Sequence, residues 1–209
     1  MFILYYAPNT CAFASLITLI EAGATYKLHR LNFGNAEQRQ PDYLDINPKG
    51  RVPALVTPHG ILTETPAILA FIAQSFPASR LAPLDDPIAF AQMQAFNSYL
   101  CSTVHVAHAH RTRGSRWADD PVAIADMKRK VPETMGDCFD LIERKMFKGP
   151  WVTGETYTVA DPYLFTISQW LEGDSIDIAS FPAVFDHSRR MRARTAVQRA
   201  TAEQLENAA

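Results

Sequence analysis

The stretch from Asn47 to Leu69 constrains the fold of this chain more than any other part of the sequence. Two short apolar runs, at 54–56 and 61–63, flank turn-forming residues, which is the pattern of a β-hairpin. Residues 64–66 are an acid, a threonine and a proline, and apolar residues then recur at helical spacing. The stretch therefore predicts a hairpin that leads directly into the N-terminus of a helix.

This predicted helix start can bind both ends of an amino acid. Its unpaired N–H groups and the positive end of the helix dipole attract a carboxylate, while the Glu64 carboxylate can pair with an ammonium group. A cis bond between Val52 and Pro53 would also turn the Val52 backbone towards an extended peptide, which could pair there like an additional strand. The alternative is an ordinary trans proline, because only about 5–6% of X-Pro bonds in folded proteins are cis.

The N-terminal segment places a cysteine at a second predicted helix start. Residues Phe2 to Tyr6 form a short apolar strand, a loop follows, and apolar spacing predicts a helix from about Cys11 to Ala22. A free thiol titrates near about 8.5, and a helix N-terminus or neighbouring cations can lower its pKa to about 3.5–7.5. The sequence thus favours a nucleophilic Cys11 thiolate, and the open alternative is a small buried apolar cysteine.

Composition and charge narrow the class of protein. The 209 residues, 47% of them hydrophobic, suffice for one compact unit or two small domains. The net charge of −2 provides no general attraction for nucleic acid or anionic lipid. Because the N-terminal apolar run is too short for a signal peptide or a membrane span, we expect a cytoplasmic protein without nucleic-acid or membrane partners.

The three cysteines, at positions 11, 101 and 138, indicate neither a disulfide framework nor a zinc site. Their number is odd and their spacing matches no metal motif. Ala14 stands where a C-x-x-C motif starting at Cys11 would need its second cysteine, which argues against a dithiol oxidoreductase. We therefore expect a reducing compartment, monothiol chemistry and no metal.

The order of the predicted elements divides the chain into two domains. Strand, helix, strand, helix, hairpin and helix follow one another through residues 1–76, the order of a thioredoxin-like α/β domain. A proline-bearing linker is predicted at 77–86 and an all-α domain at 87–209, where strand patterns disappear. Pro132 is expected to kink or split the helical segment 121–147, because an interior proline removes a hydrogen bond and clashes with the preceding turn.

Two groups of residues in the helical part are interpreted as structural. Thr158-Val-Ala-Asp161 fits a capping box, in which a hydroxyl and an acid satisfy backbone donors reciprocally at a helix start. Asp161 is therefore assigned to folding and not to chemistry. Four aromatic residues nearby are expected in the core: Trp151, Tyr163, Phe165 and Trp170.

A cluster of basic residues precedes this region, and its members are His105, His108, His110, Arg111, Arg113 and Arg116. Metal binding is disfavoured, because His110 would lie about 140° round a helix from His105 and no acidic or thiol ligand is adjacent. The arginines are interpreted as a solvated face. One or two of them at the rim of a cleft could favour an acidic second substrate.

Together, these motifs resemble those of the glutathione transferase family, and most closely those of its bacterial beta class. The beta-class start Tyr-x-Pro-x-x-Cys is present, and the other shared segments occur in the same order and spacing over nearly the whole chain. The matching positions are Tyr6, Pro8, Cys11, 47–55, 62–65 and 158–161.

The resemblance implies a thioredoxin-like domain followed by a helical domain, glutathione as cosubstrate, no metal and a homodimer. The glutathione-binding residues that it implies are Arg51, Val52, Pro53, Glu64, Thr65, Asn97 and His105. As a cation, His105 would favour the Cys11 thiolate. Beta-class enzymes commonly carry a glutathione-contacting lysine where this chain has Gly34-Asn35, so Lys49 and His105 are the candidates to replace it.

Three residues are candidates for activating glutathione: Cys11, Thr10 and Tyr6. The resemblance implies a transferase acting in detoxification, either by conjugating glutathione to an electrophile or by exchanging it through a mixed disulfide at Cys11. The rival hypothesis is a non-catalytic interaction module with the same fold. The sequence does not specify the second substrate.

Overall fold

A computed structural model describes residues 1–206. Its first part alternates strands and helices, in the order β1 (Phe2–Tyr6), α1 (Ala12–Glu21), β2 (Tyr26–Arg30), α2 (Pro41–Leu44), β3 (Ala54–Thr57), β4 (Gly60–Thr63) and α3 (Thr65–Ser75). The four strands form one sheet in the order β2-β1-β3-β4, in which β1 pairs in parallel with β2 and antiparallel with β3. The predicted thioredoxin-like sheet, including its hairpin, is confirmed.

The remaining helices are α4 (Pro87–Tyr99), α5 (His105–Arg113), α6 (Pro121–Leu141), α7 (Ala160–Ser168), α8 (Pro182–Ala193) and α9 (Thr195–Glu206). Two π-helical turns, Leu100–Val104 and Ile142–Met146, follow α4 and α6. The 3-10 turns are Glu37–Arg39, Pro77–Ser79, Gly114–Arg116, Glu172–Asp174 and Ile178–Ser180. Residues 87–206 contribute no strand to the sheet, so the predicted fold class is confirmed, while the domain boundary at 77–86 stays a prediction.

Helix α1 lies at the centre of the molecule. It contacts β1 and α3 in the first part of the chain, and α7 and α9 in the second. Leu16 and Ile17 of α1 are fully buried together with Leu4, Leu55 and Ile68 from the surrounding strands and helix. Burial of each such side chain stabilises the fold by roughly 1.5–3 kcal/mol, so the position of Cys11, directly before α1, is fixed by this packing.

Two proline-based expectations differ from the structure. Helix α6 runs through Pro132 without interruption, so the helix is not split there, while a kink at Pro132 stays a prediction. Pro132 and Lys128, whose carbonyl loses its helical partner, are both exposed, so water can bind that carbonyl. The sequence also predicts a polar helical segment from Ala36 to Ile46 that Pro41 interrupts. Pro41 instead begins α2, where a proline is tolerated because the N–H of a first-turn residue has no helical partner.

The capping box before α7 is confirmed. The backbone N–H of Thr158 donates to Asp161 Oδ2 at 2.7 Å, and the N–H of Ala160 donates to Thr158 Oγ1 at 3.3 Å. Asp161 also accepts a hydrogen bond from the N–H of Val152 at 2.8 Å, and its Oδ1 lies 3.1 Å from His187 Nε2. Asp161 thus joins three segments of the chain in the core.

Within residues 1–206, no helix is long and apolar enough to cross a membrane.

Candidate active site

A cleft opens between the start of α3 and helix α5, and the start of α1 forms its floor. We call this cavity the cleft. The side chains that line it include Thr10, Cys11, Arg39, Arg51, Val52, Pro53, Glu64, Thr65, Cys101, His105, Arg113, Arg116, Trp117, Tyr163 and Trp170. The first eight come from the sheet-containing part of the chain and the rest from the helical part. The cleft therefore has two walls of different origin.

All but two of the sequence-predicted site residues line the cleft. The exceptions are Tyr6 and Asn97, which are 1% and 0% exposed and are absent from its walls. The Asn97 amide donates to Gln94 Oε1 at 2.9 Å, within its own helix. Burial raises the pKa of Tyr6, which makes its proton harder to remove. The structure therefore does not bring Tyr6 or Asn97 to the position predicted for them.

Cys11 lies directly before α1, and its side chain is buried beside Val52. The thiol donates to the Val52 carbonyl, with 3.6 Å between Sγ and O. Burial raises the pKa of the Cys11 thiol to about 11, despite a hydrogen bond with Thr65 that acts in the opposite direction. The expected thiolate is thus wrong for this structure, because the cost of burying a charge exceeds the stabilisation at the helix start.

Thr10 is adjacent to Cys11, but its hydroxyl is already engaged. Oγ1 donates to the Ala7 carbonyl at 2.7 Å and accepts from the Ala12 N–H at 3.4 Å. The 2.7 Å bond holds the hydroxyl proton firmly on a backbone carbonyl, whereas the 3.6 Å contact of the Cys11 thiol with the Val52 carbonyl is long and easily exchanged for a ligand. Of the three candidates for activating glutathione, Cys11 is the one whose polar atom lies at the cleft beside Val52 and Thr65.

Two side chains hold the loop that carries Val52. The Tyr43 hydroxyl and the Asn47 amide each donate to the Arg51 carbonyl at 2.6 Å. The Val52-Pro53 peptide bond is cis, which resolves the alternative left open by the sequence. Sequence reasoning missed this role of Tyr43. No local motif predicts it, because the contact depends on how the short helix α2 is placed against the loop.

Glu64 and Thr65 form the start of α3. Glu64 has a positive φ of 72°, and its side chain makes no capping hydrogen bond to the helix. Its carboxylate pairs with Lys49 Nζ, which also donates to Thr63 Oγ1 at 2.7 Å. Thr65 is 4% exposed and is the first residue of the helix. An acid, a cation and a helix N-terminus therefore meet at one end of the cleft.

His105 lies on the opposite wall, in the first turn of α5, with its ring centroid 4.9 Å from that of Trp170. Burial lowers the pKa of His105 to about 4, and the positive charge of Arg113 lowers it further. His105 is therefore not the cation that would favour the Cys11 thiolate. At neutral pH the ring is uncharged and can donate one hydrogen bond and accept another.

The other basic residues of α5 are not one solvated face. His108 Nδ1 lies 2.7 Å from Asp174 Oδ2, and Arg111 pairs with the same buried carboxylate at 3.3 Å. The His108 ring stacks on Trp170, whose Nε1 donates to the Asn9 carbonyl at 3.2 Å. Trp170 is thus half-buried in the cleft wall, where the sequence predicted a core residue. In the described part of the chain, no three acidic, histidine or cysteine residues form a metal-binding cluster.

Known proteins with similar sequences and structures allow the family to be assigned. The family model described as "Glutathione S-transferase, N-terminal domain" matches residues 1–74. A solved glutathione transferase homologue from Sulfitobacter, with bound glutathione, is 46% identical. That alignment covers 97% of this chain and 98% of the homologue, with a TM-score of 0.95. The chain belongs to the glutathione S-transferase family.

Two further relatives show the range of this family. A bacterial beta class glutathione S-transferase from Sphingomonas chungbukensis is 26% identical, with 97% of this chain and 98% of that chain covered and a TM-score of 0.85. The disulfide-bond oxidoreductase YfcG of Escherichia coli is 27% identical, over 94% of this chain and 93% of its own length. The family resemblance inferred from the motifs is confirmed.

Sequence reasoning missed several residues of this glutathione S-transferase cleft, among them Tyr163 and Cys101. Tyr163 is fully buried in α7, and its pKa is raised well above the ordinary value by burial and by the nearby Cys11 and Cys101 thiols. Cys101 belongs to the π-helical turn between α4 and α5, a type of turn that is frequent at functional sites. The aromatic pattern of α7 predicts burial and gives no sign that the Tyr163 hydroxyl reaches a cleft.

At neutral pH, the cleft therefore holds hydrogen-bond donors that carry no charge beside several cations. Cys11 and Tyr163 remain protonated, and His105 is neutral. Uncharged donors and positive charges around one point favour an anion there, because the anion accepts their hydrogen bonds and is attracted by the field. The site is thus built to stabilise a negative charge on a bound group rather than on its own side chains.

Proposed function

We propose that this protein conjugates glutathione to an electrophilic small molecule, with the Cys11 thiol donating a hydrogen bond to the glutathione sulfur. The observation that carries the proposal is the protonated Cys11 thiol in the cleft, between Val52 and Thr65. A donor that keeps its own proton stabilises a neighbouring thiolate and leaves it nucleophilic. The Sulfitobacter relative with bound glutathione supports glutathione as the cosubstrate.

In this proposal, the two walls of the cleft bind glutathione at several points. The γ-glutamyl carboxylate lies at the N–H groups that begin α3, next to Thr65, and the ammonium group pairs with Glu64. The cysteinyl backbone pairs with Val52, and Arg51 is the candidate for the glycine carboxylate. The glutathione thiol loses its proton to solvent. Its sulfur then forms the new bond to the electrophile, and the leaving group departs with its electron pair.

The alternative chemistry is disulfide exchange, which is favoured by the similarity to the disulfide-bond oxidoreductase YfcG. In that reaction, the Cys11 thiolate attacks a disulfide that contains glutathione. A Cys11–glutathione disulfide forms, the substrate thiolate leaves, and a second glutathione restores Cys11. A thiol with a pKa of about 11 is mostly protonated at neutral pH, so the geometry favours conjugation.

The test compares Cys11→Ala and Cys11→Ser in two assays, conjugation of a chlorodinitrobenzene and reduction of a glutathione mixed disulfide. We expect Cys11→Ser, which keeps a donor, to retain conjugation within about tenfold, and Cys11→Ala to lose roughly 100-fold, the effect of removing one such donor. Both should lack disulfide reduction. Cys138→Ala changes a buried cysteine outside the cleft and is the matched control. Full conjugating activity in Cys11→Ala would exclude the proposed role.

Calorimetry with glutathione separates the enzyme from a non-catalytic interaction module. The wild-type protein should bind glutathione at millimolar concentration or below, and Glu64→Gln should weaken that binding. An absence of binding at millimolar glutathione would contradict the proposed function as a whole.

The protonation state of Cys11 can be measured directly. The rate of its alkylation by iodoacetamide should rise about tenfold per pH unit between pH 7 and 10, because the thiolate fraction grows in that proportion below a pKa of about 11. A rate that is already constant above pH 8 would indicate a thiolate and would favour disulfide exchange.

We also propose that the protein is a cytoplasmic homodimer that acts in detoxification, as its family resemblance implies. The absence of an obvious charge imbalance, with 20 basic and 22 acidic residues, fits a small-molecule enzyme. Sedimentation equilibrium would test the oligomeric state, and a monomer at micromolar concentration would contradict it.

A further inference from the structure

Four arginines line the cleft, and we call them the arginine rim: Arg39, Arg51, Arg113 and Arg116. Arg39 ends the 3-10 turn Glu37–Arg39 and Arg51 lies in the loop before β3, while Arg113 ends α5 and Arg116 ends the 3-10 turn that follows. The two pairs therefore reach the cleft from its two different walls.

No member of the arginine rim forms an ion pair with the side chains that the structure describes, those of residues 1–204. The contrast with Arg111 is direct, since that residue pairs with the buried Asp174 two positions before Arg113. Glu64 is the single acidic side chain that lines the cleft among the described residues, and Lys49 already neutralises it. The positive charge of the arginine rim is thus uncompensated by protein.

The rim charges are close enough to influence one another. Burial lowers the pKa of Arg116, and the charges of Arg113, Arg51 and Arg39 lower it further. The charges of Arg113, Arg51 and Arg116 also contribute to the lowered pKa of His105, and that of Arg113 contributes most among the three. Like charges held together in a partly buried space repel one another, so a bound anion relieves that repulsion as well as making its own contacts.

Glutathione alone does not match this charge. In its thiolate form it brings two carboxylates, one thiolate and one ammonium group, a net charge of about −2 at neutral pH. The four arginines carry twice that charge, and the other charged pair at the site, Glu64 with Lys49, has no net charge. Two positive charges remain for another ligand. Arg51 adjoins Val52 and is the candidate for the glycine carboxylate of glutathione. Arg113 and Arg116, on the opposite wall, are therefore the arginines available to another ligand.

An aromatic surface lies beside that pair. Trp117 follows Arg116 directly, lines the cleft and is 48% exposed, although tryptophan has a large apolar surface to bury. The His110 ring of α5 packs against the indole of Trp117 at a steep angle, with 4.4 Å between the ring centroids. A flat, apolar group could stack on the exposed face while its charged end reached the arginines.

We propose that the second substrate is an anionic electrophile, a flat aromatic carboxylate held by Arg113 and Arg116 beside Trp117. This inference rests on the proposed glutathione conjugation and adds the substrate class to it. For a chloroaromatic acid, the glutathione sulfur forms a bond to the ring carbon that carries chlorine, the carbon–chlorine bond breaks, and chloride leaves with the bonding pair. The carboxylate stays unchanged throughout and serves only to bind.

The test uses a chlorodinitrobenzoate and its methyl ester, which share the reacting carbon and differ in charge. Each kcat/KM is divided by the uncatalysed rate with glutathione, so that the intrinsic reactivity of the two rings cancels. We expect the wild-type protein to prefer the carboxylate by roughly tenfold, the ratio that corresponds to about 1.4 kcal/mol. The double variant Arg113→Gln/Arg116→Gln should bring this preference close to unity.

Arg129→Gln is the matched control, because it removes an arginine that pairs with Asp126 on the exposed surface of α6. It should leave the preference for the carboxylate unchanged. Equal use of the two acceptors by the wild-type protein, or a preference that survives the double variant, would overturn the inference while leaving glutathione conjugation in place.

Binding of the acid without reaction keeps this inference separate from the proposed function. Equilibrium dialysis of the chlorodinitrobenzoate without glutathione should give a dissociation constant that rises about tenfold in the double variant and is unchanged in Arg129→Gln. If the acid binds in this way but neither acceptor is conjugated, the proposed reaction fails and the anion site stands. If the acid does not bind to the wild-type protein, the anion site is excluded.

Discussion

Helices α3 and α7 both begin with a threonine and an acid, yet the two acids lie in opposite surroundings. Asp161 is fully buried, and its carboxylate accepts hydrogen bonds from the Val152 and Thr158 N–H groups at 2.8 and 2.7 Å. The Glu64 side chain is 51% exposed, makes no cap to its helix and pairs only with Lys49 among the described residues. One carboxylate completes the fold, and the other faces the cleft.

The two carboxylates distinguish a structural helix start from one that can bind a ligand. At α7 the chain's own carboxylate satisfies the backbone donors, so no capacity for an external anion remains. At α3 the acid precedes the helix with a positive φ, and its side chain makes no hydrogen bond to the helical N–H groups. The residue types are alike, and whether the carboxylate caps its own helix decides which helix start can bind a ligand.

The largest effect should come from removing the buried acid. We expect Asp161→Ala to lower the free energy of unfolding by about 3–5 kcal/mol, because it leaves two backbone donors and His187 without their partner in the core. Urea denaturation measures this change. Asp126→Ala, on the exposed face of α6, should stay within about 0.5 kcal/mol of wild type. A loss below about 1 kcal/mol in Asp161→Ala would remove the distinction between the two acids.

The exposed acid should show the opposite pattern, with a loss of binding and little loss of stability. Glu64→Gln keeps the shape and removes the charge, so glutathione should bind roughly 10- to 150-fold more weakly, the range that corresponds to about 1.5–3 kcal/mol for a hydrogen bond to a charged group. Calorimetry gives the affinity, and Glu133→Gln on α6 is the control. The unfolding free energy should change by less than about 0.5 kcal/mol. Unchanged glutathione affinity would show that Glu64 is not part of the site.

The backbone at Glu64 offers a test that separates stability from binding within one residue. Glu64→Gly should raise the unfolding free energy by up to about 1 kcal/mol, because glycine adopts a φ of 72° without the steric cost of a side chain. It should weaken glutathione binding at least as much as Glu64→Gln does. A clear loss of stability in Glu64→Gly would mean that the carboxylate also supports the fold.

The smallest effect concerns the cation that holds the exposed acid. Lys49 Nζ forms an ion pair with the Glu64 carboxylate, and the two side chains are 43% and 51% exposed. The pair therefore contributes at most about 1 kcal/mol to the free energy of unfolding. We expect Lys49→Met to tighten glutathione binding by up to about fivefold, because the ammonium group no longer competes with a lysine. Weaker binding would instead assign Lys49 to a carboxylate of glutathione, as the missing lysine at Gly34-Asn35 suggests.

Much of the fold follows from local sequence. The hairpin, the starts of α1 and α3 and the capping box of α7 each depend on residues within a few positions of one another, and turn and cap chemistry acts over that range. Cys11, Val52 and Thr65 belong to such segments, and the structure brings them together at the cleft. Their positions could therefore be predicted as soon as the order of strands was known.

The ionisation of the site could not be predicted in the same way. The raised pKa of Cys11 and the lowered pKa of His105 come mainly from burial, which is produced by residues distant in sequence. The hydroxyl of Tyr163 and the grouping of Arg39 with Arg116 likewise depend on how the helical part packs against the sheet. Local patterns identify the residue types, and only the packing reveals their charge states and neighbours.

The stacking of Trp170 against His108, with its indole N–H on the Asn9 carbonyl, has an optical consequence. Two of the three tryptophans of the chain, Trp117 and Trp170, line the cleft, and Trp151 lies elsewhere beside Tyr157 and Arg194. Indole emission changes in wavelength and yield when the polarity around the ring changes. Trp117 and Trp170 are thus intrinsic fluorescent probes of the cleft, and Trp151 is a tryptophan outside it. Ligand binding can therefore be followed by tryptophan fluorescence without labelling the chain.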